Sequence, residues 1–474
     1  MVFNSLQFVA FFVVVYALYR VLPHRAQNWM LLVASYVFYG AWDWRFLALL
    51  IGSTVIDFLV ARDIARRTNA RARKLALLIS LAYNLGVLAF FKYFNFFADN
   101  LKEVFSLIGW QLDPVTLHVI LPMGISFYTF MTISYVIDVY RREIQPSSDL
   151  LEFALFVAYF PHLVAGPILR ASKLLPQIAQ PRSMTRAQAV EGLWLIGWGL
   201  FQKMFVADNL SAIVDATFQP SAAPTGAQVL VSVYAFAFQI YGDFAGYSNI
   251  ARGISKLLGI ELNVNFCFPY FVTSPQEFWR HWHISLSTWL RDYLYIPLGG
   301  SRGSELATKR NLLITMMLGG LWHGAAWTFV LWGFYQGLAL VIARSIARWG
   351  ARRGVVIPEG WNWRRAALAL LMFHVTCYGW LIFRARSERQ ILDLTRRVAV
   401  DLMPSLPVLP ALLAPVALVV APLLIVHVYQ ARHGSESAPL ALIPPVRYAL
   451  YGAVFYLVLL FGSFEGAQFI YFQF

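Results

Sequence analysis

The apolar residues of this 474-residue chain come in long, nearly uninterrupted runs, and that feature narrows its fold more than any other. A helix needs about 20 apolar residues to cross a bilayer. Runs near that length recur at 5–22, 29–60, 75–97, 118–138, 150–169, 189–207, 226–250, 311–342, 366–384, 408–429 and 446–463. Hydrophobic residues make up 59% of the chain and charged ones 13%, about half the charged share of a soluble domain. No soluble core could hide that much apolar surface. The expected fold class is all-α: a polytopic integral membrane protein with on the order of 10–13 membrane segments. The run 29–60 is too long for one span and is interrupted by Trp42-Asp43-Trp44-Arg45, so it reads as two short helices. No internal repeat, soluble domain or long linker is visible, and residues 1–474 read as a single membrane domain.

The formal charge of +14 has a plain cause in such a chain. Lys and Arg fall mostly between the apolar runs, which is topology rather than nucleic-acid binding. A basic face can still attract lipid headgroups or a phosphorylated substrate. The two cysteines, Cys267 and Cys377, support neither a disulfide framework nor a cysteine metal cluster. No Lys or Arg precedes Arg20, so the first run lacks the positive start of a signal peptide and is expected to remain as a helix.

Basic loops fix an orientation. Residues 61–74 carry Arg62, Arg66, Arg67, Arg71, Arg73 and Lys74 against Asp63, which places that loop in the cytoplasm and the N-terminus outside. Loops 139–149 and 170–188 both read as cytoplasmic. The run between them, with Pro161, Gly166 and Pro167, is therefore expected to be a re-entrant hairpin rather than a straight span. The run 311–342 also has basic flanks on both sides. Gly319-Gly320 precedes Trp322-His323 in its middle, so it reads either as two half-helices meeting near the histidine or as one kinked span. The short aromatic pieces near 266–272 and 282–298 read as interfacial or inserted. Beyond residue 384 the charges are mixed and fix no topology.

Among nine histidines, most have a hydrogen-bonded structural reading: His24 and His433 in polar loops, and His118, His374 and His427 near segment ends or on helices. His323 stands apart, at membrane depth beside glycines. It is either a packing ring bonded across the bundle or a neutral imidazole able to act as a general base. A second cluster, 274–302, gathers Arg280, His281, His283, Arg291, Asp292 and Arg302 among tryptophans and tyrosines. On one helix, Trp279, His283 and Leu286 would share a face, with Arg280 and His281 elsewhere. The alternative is an interfacial aromatic helix. His281-x-His283 is a poor metal pair, because i, i+2 residues do not converge on a helix, so no metal site is expected. Gln239 and Asp243 lie one helical turn apart, and Asp138, Glu152 and Lys203 are further intramembrane polar groups. Gln239 and Asp243 could orient a catalytic ring, line a polar path, or simply hydrogen-bond between helices. No phosphate-cradling loop, G-x-S-x-G elbow or H-E-x-x-H is present.

Six segments share wording and order with one family: FFKYFNFF (90–97), LPMGISFYTFMTISYVIDVYR (121–141), FPHLVAGPILR (160–170), FQIYGDFAGYSNIARG (238–253), FWRHWHISLSTWLRDYLYIPLGGSR (278–302) and LGGLWHGAAWTFVLWGFYQG (318–337). The chain resembles the membrane-bound O-acyltransferases, most closely the bacterial branch that O-acetylates exported polysaccharides such as alginate. The best-matching core is 30–345. The resemblance implies that His323 is the family's catalytic histidine and His283 its second signature position. It implies a ring of helices around a tunnel, acetyl-CoA as the cytoplasmic donor with no permanently bound cofactor, and an acceptor approaching from the opposite face. His323 would deprotonate an acceptor hydroxyl. His283 would hold the acceptor or polarise the thioester carbonyl. Trp322, Gln239 and Asp243 are candidates to bind substrate. Arg280, Arg302 and Lys309 are candidates to meet the CoA phosphates. The expected partners are acetyl-CoA, the bilayer, and a periplasmic acetyltransferase or the polysaccharide itself. The expected location is the bacterial inner membrane.

Two other classes fit the raw pattern. A secondary transporter or flippase also uses broken helices with mid-membrane polar groups, although no symmetry relates the two halves. A non-catalytic export scaffold needs no histidine at all. Within the family, D-alanyl transfer to teichoic acid is the third alternative.

Overall fold

The computed structural model describes residues 1–111, 120–164, 166–353, 360, 362–464 and 469–470. Among these residues every regular element is helical. The chain forms two compact units, one of residues 1–192 with 251–263 and the other of residues 193–250 with 264–474.

In the first unit, the expected break at 42–45 is real. A helix over His24–Asp43 gives way to one 3₁₀ turn, Trp44–Phe46, before α1 (Leu47–Arg66). The cause is local: the Asp43 carboxylate accepts from the Arg45 backbone N–H at 3.0 Å, capping the turn. α1 packs against α2 (Ala70–Leu88) and α3 (Ile125–Arg141) around a buried polar knot. Ser80 Oγ donates to the Asp57 carboxylate at 2.5 Å, Asn84 Nδ2 donates to it at 2.9 Å, and Ser53 Oγ donates to Asn84 Oδ1 at 2.6 Å. Such bonds join helices in an apolar medium, where hydrophobic burial supplies little.

The run 150–169 is broken as expected. Helix Leu150–Ala158 ends at Tyr159, and a single turn, Phe160–Leu163, follows with Pro161 in it. The break frees the Phe160 N–H, and Ser35 Oγ accepts it at 3.0 Å, so the backbone group stays satisfied. Gly124 lies across from this turn with φ of +71°, and a Cβ there would come within 2.4 Å of the Leu163 carbonyl oxygen. Only glycine meets both demands.

In the second unit the buried centre is α4 (Gly226–Leu257). Around it are two short helices, α5 (Pro275–His281) and α6 (Ile284–Leu290), then α7 (Glu305–His323), α8 (Trp327–Arg352), α9 (Trp363–Arg384) and α10 (Leu409–His433). The run 311–342 is thus an antiparallel pair and not a kinked span. Each arm is a full helix rather than a half, and the turn between them follows His323.

Seven described helical runs are long and apolar enough to cross a membrane, fewer than the 10–13 segments expected. Part of the difference is counting, since His24–Arg66 is one run of 43 residues holding two helices. Part is physical: the runs at 150–169 and 311–326 fold as broken or charged-ended helices. Of run 118–138, residues 118 and 119, His118 included, lie outside the described residues.

Candidate active site

α7 begins at an N-cap, where Ser304 Oγ accepts the Ala307 N–H at 3.2 Å, and ends at His323. Its last turns press on α8 backbone to backbone. A Cβ at Gly320 would lie 2.1 Å from the Phe329 carbonyl oxygen, and one at Gly333 would lie 2.3 Å from the Met316 carbonyl oxygen. Glycine on both helices lets them close to that distance. A Cβ at Gly324 would strike the Phe329 ring at 2.1 Å. The glycines around Trp322-His323 are therefore the condition for the turn that presents the histidine.

His323 is 5% exposed. Three rings meet it edge to face: Trp322 at 5.0 Å, Trp332 at 5.1 Å and Phe383 at 5.4 Å between centroids.

His283 comes from a different construction. Ser274 caps α5, its Oγ accepting the Glu277 N–H at 3.2 Å, and Pro275 opens the helix. α5 stops at His281, and α6 begins only at Ile284. The single helical face expected for Trp279, His283 and Leu286 does not exist. All three are buried nonetheless, because the break itself turns His283 inward. Its φ of +43° and ψ of 53° are left-handed, a costly conformation for a non-glycine residue and one that concentrates at functional sites. The segment 265–267 satisfies the broken backbone: Ile284 N donates to Asn265 O at 2.9 Å and Cys267 N to His281 O at 3.0 Å. His281 also turns its Nδ1 to the Cys267 carbonyl.

The side chain of Asn265 completes the arrangement. Its Oδ1 accepts from Ser285 N at 3.1 Å and Ser285 Oγ at 2.9 Å, and it lies 3.2 Å from His283 Nδ1. An oxygen that accepts from a backbone N–H is an acceptor toward the ring as well, so His283 Nδ1 carries the proton and Nε2 is the lone-pair nitrogen. Burial pushes the His283 pKa down to about 3, so the neutral ring persists across the physiological range. Phe244 of α4 meets it edge-on at 4.7 Å. Trp322 lies 6.1 Å from it and 5.0 Å from His323. One indole thus contacts both histidines.

Gln239 and Asp243 are buried on α4, as their spacing required. Asp243, however, is committed elsewhere. Lys203 Nζ lies 2.8 Å from both Asp243 and Asp208, and the second Asp243 oxygen accepts the Ile470 N–H at 2.6 Å. Lys203 sits in a π-helical stretch, Phe201–Ala207. Asp243 is thus held by an ion pair and a backbone N–H. Arg280 and Arg302 are exposed and Lys309 is half-buried, so all three remain reachable by an anionic ligand but are not gathered around the histidines. Asn265 was missed by the sequence reading. Of the other described histidines, His162 bonds Phe156 O, His374 Leu370 O and the Tyr234 hydroxyl, His427 the Tyr241 hydroxyl and His433 the Tyr429 carbonyl, while His24 and His433 stand at a helix start and a helix end rather than in polar loops. Among the described residues no three His, Cys, Asp or Glu side chains gather to hold a metal ion.

A family model for membrane-bound O-acyltransferases matches residues 142–381. The chain belongs to that family. It is an O-acyltransferase and a multi-pass membrane protein, and both histidines fall inside the matched region. The acyltransferase is 43% identical over 389 residues to a probable alginate O-acetylase of Pseudomonas aeruginosa, covering 82% of this chain and 72% of the relative. It is 35% identical over 429 residues to a peptidoglycan O-acetyltransferase of Helicobacter pylori, covering 84% and 79%. A teichoic acid D-alanyltransferase of Streptococcus thermophilus is 28% identical over 316 residues, 61% of this chain and 75% of the relative.

Proposed function

We propose that the enzyme takes an acetyl group from cytoplasmic acetyl-CoA and passes it across the bacterial inner membrane for O-acetylation of an exported polysaccharide such as alginate. The acceptor hydroxyl is carried by the polymer or by a periplasmic partner protein. The observation that carries this reading is the pair of buried histidines that share contact with Trp322, set in a chain whose relatives include alginate and peptidoglycan O-acetylating proteins.

His323 is the general base. It takes the proton as the hydroxyl oxygen attacks the thioester carbonyl, the C–O bond forms, the C–S bond breaks, and the proton passes on to the departing thiolate. His283 holds the acceptor. With its proton on Nδ1, its Nε2 accepts a hydrogen bond from the hydroxyl and cannot donate one to the carbonyl, which favours the first of its two expected roles. Trp322 and Gln239 line the path. Arg280, Arg302 and Lys309 meet the CoA phosphates from their accessible positions. The basic loop 61–74 supports a periplasmic N-terminus.

The test is ester-linked acetate on the secreted polysaccharide in wild type, a deletion strain and His323→Ala, with membrane protein levels checked by immunoblot. Loss of acetate in both mutant strains, with the variant protein still present, is the expected result. Acetate that survives in His323→Ala would make the chain a conduit rather than the catalyst. Labelled acetyl-CoA supplied to the cytoplasmic face of membrane vesicles tests the donor separately.

A further inference from the structure

A cavity of about 800 Å³ opens in the second unit between α4, α5, α9 and α10. Neither histidine of the active site, nor Trp322, lines it. Its walls are almost wholly hydrocarbon and aromatic, including Phe238, Tyr270, Leu370, Phe373, Val416 and Val420. Its volume falls within the roughly 300–1,000 Å³ of ligand-sized pockets. Water does not fill it well, because a water needs several polar partners and these walls offer few. Hydrocarbon does.

Two further observations say where the hydrocarbon comes from. Leu370 both lines the chamber and is 61% exposed on α9, a membrane-spanning helix, so the chamber is continuous with the lipid-facing surface. One end is polar and charged. Arg365, at the start of α9, donates to Glu277 Oε1 at 3.0 Å, and Thr273 N and Oγ1 occupy the other Glu277 oxygen at 2.7 and 2.9 Å. Glu277 is thus satisfied by three donors. Among the described residues Arg365 spends one of its five N–H groups on it. Exposed Arg364 and Arg280 add positive charge on the same two helices. An apolar chamber open to the bilayer with an arginine at its rim has the chemistry of a phospholipid: chain inside, phosphate at the guanidinium.

We propose that this chamber binds one acyl chain of a membrane phospholipid, with the phosphate held at Arg365. The seated chain packs on Tyr270 and Phe373, whose rings meet at 5.4 Å, and Tyr270 in turn meets Trp282 at 6.1 Å, the residue before His283. The lipid therefore braces the break that presents His283.

The test reads binding and needs no acetyl transfer, so it is independent of the proposed reaction. The full-length protein is placed in nanodiscs containing a phosphatidylglycerol with a diazirine in its acyl chain, irradiated, and mapped by peptide mass spectrometry. Adducts are expected on the chamber walls within 366–373 and 416–424. Ala417→Trp and Ala369→Trp, which fill the chamber from opposite walls, are expected to cut those adducts by about ten-fold while labelling elsewhere persists. Ala369→Leu gives a milder fill should a tryptophan variant fail to melt normally. Arg365→Ala is expected to weaken labelling by the phosphatidylglycerol probe but not by a diacylglycerol probe, which has no phosphate. Wall adducts that survive both filling variants, or adducts spread evenly over the lipid-facing helices, would overturn the site. Equal labelling by the two probes in wild type would overturn the phosphate contact.

Discussion

Replacing Asn265 by alanine removes a group that touches no substrate in the proposed reaction yet sets the state of one that does. The Asn265 Oδ1 receives Ser285 N, Ser285 Oγ and the His283 Nδ1–H within 2.9–3.2 Å, all in a buried setting. Each such bond is worth about 1 kcal/mol net, and a buried donor left without its acceptor costs about 1–3 kcal/mol. The ring-specific share decides the catalytic effect. Losing about 1–2 kcal/mol of preference for the Nδ1–H tautomer, and for the ring position that goes with it, lowers turnover roughly 5- to 30-fold. Turnover is measured as acetyl transfer from labelled acetyl-CoA in membranes with matched protein levels. Asn265→Asp keeps the acceptor and is expected to recover part of the loss. The decisive arm is the double variant. If Asn265 acts through His283, then Asn265→Ala adds little in a His283→Ala background, because the two changes break the same link. Full additivity, or wild-type turnover in Asn265→Ala alone, would refute the tautomer argument.

Other perturbations test the neighbouring links. Gly333→Ala places a Cβ 2.3 Å from the Met316 carbonyl oxygen, so α7 and α8 must separate; a loss of about 3 kcal/mol, seen as lower membrane abundance and melting temperature, is expected. Lys203→Met leaves Asp208 and Asp243 facing each other without their cation, at 3% and 4% side-chain exposure; removing one partner of such a group costs about 3–5 kcal/mol, and thermal melts in detergent measure it. The pH dependence of His283 has a fixed sign. Its pKa is depressed to about 3 in the fold and returns to about 6.5 on unfolding. Its contribution to stability is therefore complete above about pH 6.5 and falls as the pH drops toward 3. His283→Gln is expected to flatten that part of the stability–pH curve, and an unchanged slope would contradict it.

What the sequence made legible was the class of each segment and the places where helices fail. Trp42-Asp43-Trp44-Arg45 announced a break because a carboxylate so placed can cap the next turn. The two prolines and one glycine of 150–169 announced an interruption, whereas the paired glycines before Trp322-His323 lie inside a continuous helix, where Gly320 admits the close approach of α8. The basic flanks on both sides of 311–342 spoke against one straight span, and the run folds as two helices, α7 and α8. These are local rules, and each needs only neighbouring residues.

His283 shows where local rules end. Its spacing from Trp279 and Leu286 placed it on an inward helical face, and it does point inward, yet no continuous helix carries it there. The helix stops because a segment 16–18 residues upstream, 265–267, takes over its backbone hydrogen bonds, and no periodicity within 278–290 encodes that. Asn265 was invisible for the same reason: it is one amide in an apolar stretch until the fold brings it to the ring. Asp243 shows the same limit from the other side. A buried acid one turn from Gln239 suggested a functional pair, but its partner, Lys203, lies 40 positions away on a π-helical stretch. In a bilayer the cost of a lone charge forces each ionisable group to find such a partner. A polar residue in an apolar run therefore says that a partner exists, and only the fold says which. For His323 the distinction matters most: the glycines around it could be read from the sequence, but the rings of Trp332 and Phe383 that meet it come from positions 9 and 60 residues further along the chain, and only the fold brings them to the imidazole.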